Sequence, residues 1–176
     1  MRSKFITILL LNYNHAALIP RAIKAIKNQT LKPFELIISD DCSTDNSVEV
    51  INNLIKGFEW IKLKQNSKNL GVIANGDSLL EYAKTKYFLF AAADDFLLPD
   101  YIERVENFLS KYKEVAMVTA TTLTFSKHLG SDGFYASKFI STNPKYLNPR
   151  EFQKTIKKYS NFIKGATSVY RTDLIR

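Results

Sequence analysis

Two pairs of adjacent carboxylates, Asp40-Asp41 and Asp94-Asp95, are the residues best suited to do chemistry in this chain. Each closes a short apolar run, Phe34 to Ser39 and Tyr87 to Ala92. Neighbouring carboxylates repel each other and resist losing water, so at the end of a buried strand they require a cation or hydrogen-bond donors. Asp94 and Asp95 offer the hard oxygen ligands that Mg²⁺ or Mn²⁺ takes together with a substrate's phosphates. Asp41 offers an acceptor to a base N–H or a ribose hydroxyl. Tyr13, within Asn12-Tyr13-Asn14, offers a ring face and a hydroxyl to a heterocyclic base. Each residue also has a plainer reading. Tyr13 alone reads as a half-buried loop tyrosine, Asp41 as a helix cap ahead of Ser43, and Asp94 or Asp95 as a cap before Pro99. Two acidic pairs and a tyrosine loop at the ends of three strands favour one cleft for a divalent ion and a polyhydroxylated or phosphorylated ligand.

Strand-like and helix-like segments alternate as far as residue 118. Phe5 to Leu11, Phe34 to Ser39, Trp60 to Lys64, Tyr87 to Ala92 and Val115 to Thr121 have strand length and apolar content. Between them, Leu18, Ala22, Ile23 and Ile26 recur at helical spacing, as do Val48, Ile51 and Ile55 behind the capping residues Ser43, Thr44 and Asp45. Asn69-Leu70-Gly71 turns into a helix expected to reach Lys84, and Pro99 stands where the first residue of another helix should be. Such alternation predicts an α/β fold: a three-layer α/β/α domain on a mainly parallel sheet. The carboxyl ends of its strands are where ligands bind, which brings Asn12, Tyr13, Asn14, Asp40, Asp41, Asp94 and Asp95 to one edge. After Ser126 the pattern loosens into loop-like sequence, then a helix from Pro149 to Lys164, a strand from Ala166 to Arg171 and the opening of another helix.

With 176 residues, 45% of them hydrophobic, the chain reads as one globular domain, and no apolar run approaches membrane-spanning length. The lone Cys42 excludes a disulfide framework and fits a cytoplasmic protein. Of the net charge of +8, residues 127–176 supply +7, from ten basic and three acidic residues. A basic segment over 150–164 can face an anionic membrane from the cytoplasmic side, or serve only as a solubilising surface. It lacks the interleaved aromatics of a nucleic-acid binder, so no nucleic-acid partner is expected. No G-x-G-x-x-G, P-loop or G-x-S-x-G element occurs, and the only histidines, His15 and His128, do not form a metal spacing.

The order NYN, HAALIPRAIKAIKNQT, FELIISDDCSTD, NLG, YFLFAAADD and LPDYI resembles the nucleotide-binding half of a family-2 glycosyltransferase of GT-A fold. It covers residues 5 to 112, and SNFIKGATSVYRTDLIR resembles the segment that leads into the acceptor half. The resemblance divides the single domain into a nucleotide-binding half, 1–125, and the start of an acceptor-side half, 126–176. It implies Tyr13 and Asp41 at the base, Asp40 as the matching neighbour, and Asn69, Gly71 and Asn75 along the nucleotide. Ala92 replaces the first acid of the D-x-D-type motif, which moves the metal role, for Mn²⁺ or Mg²⁺, to Asp94 and Asp95. The implied reaction is an inverting, metal-assisted transfer from a nucleotide-sugar donor, by resemblance a UDP-sugar, to a saccharide or lipid-linked acceptor. The family's general base lies in a later segment, and Asp132, Glu151 and Asp173 lack its surroundings, so the expected fold is a C-terminally truncated one. The rival readings are a nucleotide-sugar-binding module without transfer and a sugar nucleotidyltransferase. The absence of glycine from NYNHAALIPR argues against the latter.

Overall fold

The structure, a computed structural model, describes residues 1–120, 123–126, 133–136, 145–158 and 167–175. A six-stranded sheet organises it, in the order β3-β2-β1-β4-β8-β5. β1 (Ile6–Asn12), β2 (Glu35–Asp40), β3 (Ile61–Gln65) and β4 (Tyr87–Ala92) run parallel, with Asn12 beside Asp40 and Leu11 beside Ala92 in register. β8 (Ser168–Arg171) lies between β4 and β5 (Met117–Thr119), antiparallel to both. A separate hairpin pairs β6 (Leu123–Ser126) with β7 (Gly133–Ala136).

Period-two alternation splits the strand residues between two cores. On one face Ile6, Ile8, Leu10, Leu36, Ile38 and Leu89 pack with α1 (Ile19–Lys27), α2 (Ser47–Ile55) and α4 (Tyr101–Lys111), through Ile19, Ile23, Ile26, Ile51, Ile102 and Val105. On the other face Leu9, Ile37 and Phe88 meet Leu79 of α3 (Val72–Leu80). Helices on both faces are why β1 and β2 are buried almost throughout.

The chain winds outward from β1 through β2 to β3, then crosses back to place β4 on the other side of β1. The crevice outside the carboxyl ends of β1 and β4 is therefore a topological switch point, the ligand position of open α/β sheets.

Several boundaries differ from the sequence-based expectation. α3 stops at Leu80, four residues short of Lys84, because Tyr82 and Ala83 donate to the carbonyls of Leu79 and Leu80 in tight turns. α4 starts at Tyr101, so Pro99 precedes the helix instead of opening it. The 129–138 segment, expected to be loop, contains β7, which pairs with β6. α5 (Pro149–Lys158) confirms the start of the late helix, and its extension to Lys164 lies outside the described residues. Thr121 and Ala166, the expected ends of two strands, also lie outside them, as do Asp132 and His128. The expected helix opening at Thr172 is a 3-10 turn, Thr172–Leu174.

Candidate active site

The acids and amides at the carboxyl edge form two interlocked networks and one open pair. In the first network Asp40, 1% exposed, takes Asn12 Nδ2 (2.7 Å) and the Ser43 hydroxyl (2.6 Å) on Oδ2, and the Ser43 N–H (2.9 Å) on Oδ1. The Ser43 hydroxyl also accepts the Asn14 N–H (2.9 Å), and Asn14 Oδ1 accepts the Thr44 N–H (2.7 Å). Asn14 and Cys42 both hold positive φ, 53° and 62°, a strain that the bonds to Ser43 and Thr44 oppose. Asp45 completes the loop by accepting the N–H groups of Ala16 (2.9 Å) and Ser47 (3.0 Å). Burial pushes its carboxyl up, but these bonds and nearby His15 outweigh that and hold it below the ordinary value. An open depression of about 490 Å³ follows, lined by Asn14 to Leu18, Asp45 and Asn46.

The second network surrounds Asp41, 3% exposed. Its Oδ1 accepts Asn66 Nδ2 (2.7 Å) and the Leu70 N–H (2.9 Å), and its Oδ2 the Gly71 N–H (2.9 Å). Asn66 Nδ2 also reaches Asn75 Oδ1 (2.9 Å), which takes the Ser39 hydroxyl (2.6 Å). Lys64 Nζ donates to Asn66 Oδ1 (2.7 Å). Asn69 Oδ1 accepts the Gly71 N–H (3.0 Å), and Gly71 itself sits at φ 80° and ψ 159°, a conformation that glycine alone adopts freely. Asp41 is thus no cap for α2; it fastens the Asn69-Leu70-Gly71 turn to the end of β2.

The second acidic pair is different. Asp94 and Asp95 are both exposed, and among the described residues no donor bonds to either carboxylate. Burial of part of the side chain, then the charge of Asp94, push the Asp95 carboxyl up, while Arg21 opposes the shift. Arg21 Nη2 donates to the Asp94 carbonyl (2.7 Å), and its guanidinium lies over the Phe96 ring.

The structure therefore brings Asn12, Asn14 and Asp40 into one network and Asp41, Asn69, Gly71 and Asn75 into another. It leaves Tyr13 on the loop between them, 43% exposed. Sequence reading missed Asn66 and Arg21, whose partners Asp41 and Asp94 lie 25 and 73 positions away, and it took Ser43 for a helix cap where the hydroxyl bonds Asp40. Another depression, of about 610 Å³ near Lys84, Lys86, Glu114 and Arg171, lies at the opposite end of β4, away from every one of these acids.

Comparison with known proteins decides the family. The model described as Glycosyl transferase family 2 matches residues 7–174. The chain belongs to this family. Among its curated family-2-like relatives, an uncharacterized glycosyltransferase of Haemophilus influenzae is 30% identical over 81% of this chain and 45% of its own length. The poly(ribitol-phosphate) beta-glucosyltransferase of Bacillus spizizenii is 31% identical over 79% of this chain and 22% of its own. The chain spans less than half the length of these relatives. The crystal structure of S. aureus TarS 1-349 in complex with UDP-GlcNAc superposes with a TM-score of 0.72 at 20% identity, covering 97% of this chain and 46% of that one. The fold is the GT-A fold of the family's enzymes. Family-2 membership also bears on the open pair, since many members use a divalent ion. Asp94 and Asp95 suit one: two carboxylates with hard oxygen atoms, mutually repelling and, among the described residues, lacking hydrogen-bond donors.

Proposed function

We propose that the chain is the donor-binding portion of an inverting glycosyltransferase that takes a nucleotide-diphosphate sugar, a UDP-sugar first. The observation that carries this reading is the contrast between the two acidic pairs. Asp40 and Asp41 are buried and saturated with protein donors, so they build the pocket. Asp94 and Asp95 are exposed at the switch-point crevice and leave their oxygens for a ligand. Tyr13 lays its ring against the base, the Asn12–Asp40–Ser43 and Asp41–Asn66–Gly71 networks hold the walls, and Asn75 lines the nucleotide side. Asp94 and Asp95 hold Mn²⁺ or Mg²⁺, which supplies Lewis-acid neutralisation of the departing diphosphate. Solved structures of the same fold hold UDP, UDP-GlcNAc, and GDP-Man with Mn²⁺, which supports the donor class.

Acceptor chemistry follows the same reasoning at one remove. A curated relative 37% identical over 53% of this chain acts on an undecaprenol-linked saccharide by its name, which supports a saccharide or lipid-linked acceptor. Lys154, Lys157 and Lys158 of α5 point the same way, toward peripheral contact with an anionic surface on the cytoplasmic side. Neither described late acid is assigned the general base. Glu151 Oε2 accepts the Asn148 N–H (3.0 Å) in a capping box at the start of α5, and Asp173 pairs with Arg171 (2.9 Å). A donor-binding role separable from transfer is the second reading that these two contacts favour.

Calorimetry of UDP binding tests the proposal. Affinity should rise with Mn²⁺ in the wild type, and Asp94→Asn or Asp95→Asn should remove that gain while leaving metal-free binding. Equal affinity with and without metal in all three proteins would falsify the assignment.

A further inference from the structure

Helix α1 grips the segment that carries the open acidic pair at two points. Near its start, Arg21 Nη2 donates to the Asp94 carbonyl (2.7 Å), and its Cζ lies 4.8 Å from the Phe96 ring centroid. Just past its end, Gln29, fully buried, donates from Nε2 to the Leu98 carbonyl (2.6 Å) and accepts the Ile102 N–H (3.1 Å) on Oε1. Thr30 adds its N–H to the Pro99 carbonyl (2.8 Å) and its hydroxyl to Glu103 (2.7 Å). Gln29 and Thr30 thus fix the downstream end of the loop. The turn's own contribution is a single long bond, Asp95 N–H to the Ala92 carbonyl at 3.2 Å.

We propose that Arg21 is the positioning residue of the Asp94–Asp95 turn, holding both carboxylates in the orientation in which they share a divalent ion. The inference rests on the donor-binding reading above. Its physical basis is the pairing of contacts. A planar guanidinium can donate to the Asp94 carbonyl while its face covers the Phe96 ring, so two residues flanking Asp95 are fixed by one side chain. The charge alone is unhelpful there. A cation beside a dication site repels the ion, so an arginine at this place serves the site through what it holds. Those two effects have opposite signs, and that makes the role measurable.

The experiment compares the full chain with Arg21→Ala and Arg21→Lys by two readouts. One is the ¹⁵N heteronuclear NOE of the Asp94, Asp95 and Phe96 amides in the ligand-free protein, which reports ordering of the turn on the fast timescale. The other is UDP affinity with and without Mn²⁺. Arg21→Ala should lower the NOE at these amides and cut the Mn²⁺-dependent gain in affinity about tenfold, the scale of one charged hydrogen bond. Its metal-free affinity and melting temperature should stay at wild-type values, because Arg21 is exposed. Arg21→Lys keeps the charge and a donor but loses the planar stack, so it should recover part of both signals. An unchanged NOE in Arg21→Ala overturns the proposal, as does a larger Mn²⁺ gain, the signature of a spectator charge. A wild type with an ordered turn and no Mn²⁺ gain overturns the donor-binding reading instead, and the NOE comparison then still decides what Arg21 does.

Discussion

Replacing Asp41 with alanine tests how the Asn69-Leu70-Gly71 turn is held at the end of β2. The carboxylate accepts Asn66 Nδ2, the Leu70 N–H and the Gly71 N–H in a site 3% exposed. After truncation Asn66 keeps Asn75 Oδ1, and Gly71 keeps Asn69 Oδ1, but the Leu70 N–H has no other partner among the described residues. Hydrogen bonds to a charged acceptor contribute about 1.5–3 kcal/mol each, and Leu70 is exposed, so its freed N–H can turn to water. Because Asn66 and Gly71 retain second partners, the net loss should be about 3 kcal/mol rather than the sum. For a chain of this size that lowers the melting temperature by about 6–12 °C. Asp41→Asn keeps the volume and one acceptor but turns an N–H₂ toward a donor, so an intermediate loss of about 1–2 kcal/mol follows. Urea unfolding can be followed through Trp60, the single tryptophan, which immediately precedes β3. UDP titration of the same samples should show affinity falling together with stability, since the 69–71 turn is released. Stability within about 0.5 kcal/mol of wild type, the range of an ordinary surface change, would refute the reasoning. The carboxylate would then serve the ligand and not the turn.

Asp95→Asn should raise the melting temperature of the free protein at neutral pH. Burial and Asp94 raise the folded-state pKa of Asp95 above its unfolded value, so its stabilising share exists below the ordinary carboxylate pKa and is lost as pH rises through the raised value. The gain from the variant should accordingly vanish in acid, which melting curves across the carboxylate range will show. Gly71→Ala meets no atom within 4 Å of the added methyl, so any loss comes from the backbone. Denaturant unfolding should register about 1–3 kcal/mol, and a cost near zero would show that the turn adopts another conformation.

The buried part of the fold was legible because its signals are local. β1, β2 and β4 are continuous apolar runs, and their burial on both faces is what such runs encode. The position and direction of β8 were not legible, since the four residues Ser168–Arg171 carry no mark of which strands they separate. The 123–136 hairpin was hidden by its glycine and serine content. At the site, chemistry-bearing residues were found from their types, and the division of labour among them was not. Adjacent residues at a strand end point to opposite faces, which sends Asp40 to Asn12 and Ser43 but Asp41 to Asn66 and the 69–71 turn. That choice depends on register, and sequence alone does not give the register. Arg21 and Gln29 were invisible for a related reason: their partners in the acidic loop lie 69 to 73 residues away.

The placement of β8 has a consequence for how the chain is made. β5 does not pair with β4; both pair with β8, whose Val169 is fully buried between them. On a ribosome β5 emerges 52 residues before the end of β8, which at about 5–20 residues per second is about 3–10 s of synthesis. Through that interval β4, the strand that ends beside the acidic turn, presents an unpaired edge with Phe88 and Leu89 on it. An open apolar edge is a template for pairing with another chain. The nascent protein is therefore most prone to aggregate after β1 to β4 have folded and before β8 arrives, and chain truncated upstream of Ser168 should remain in that state.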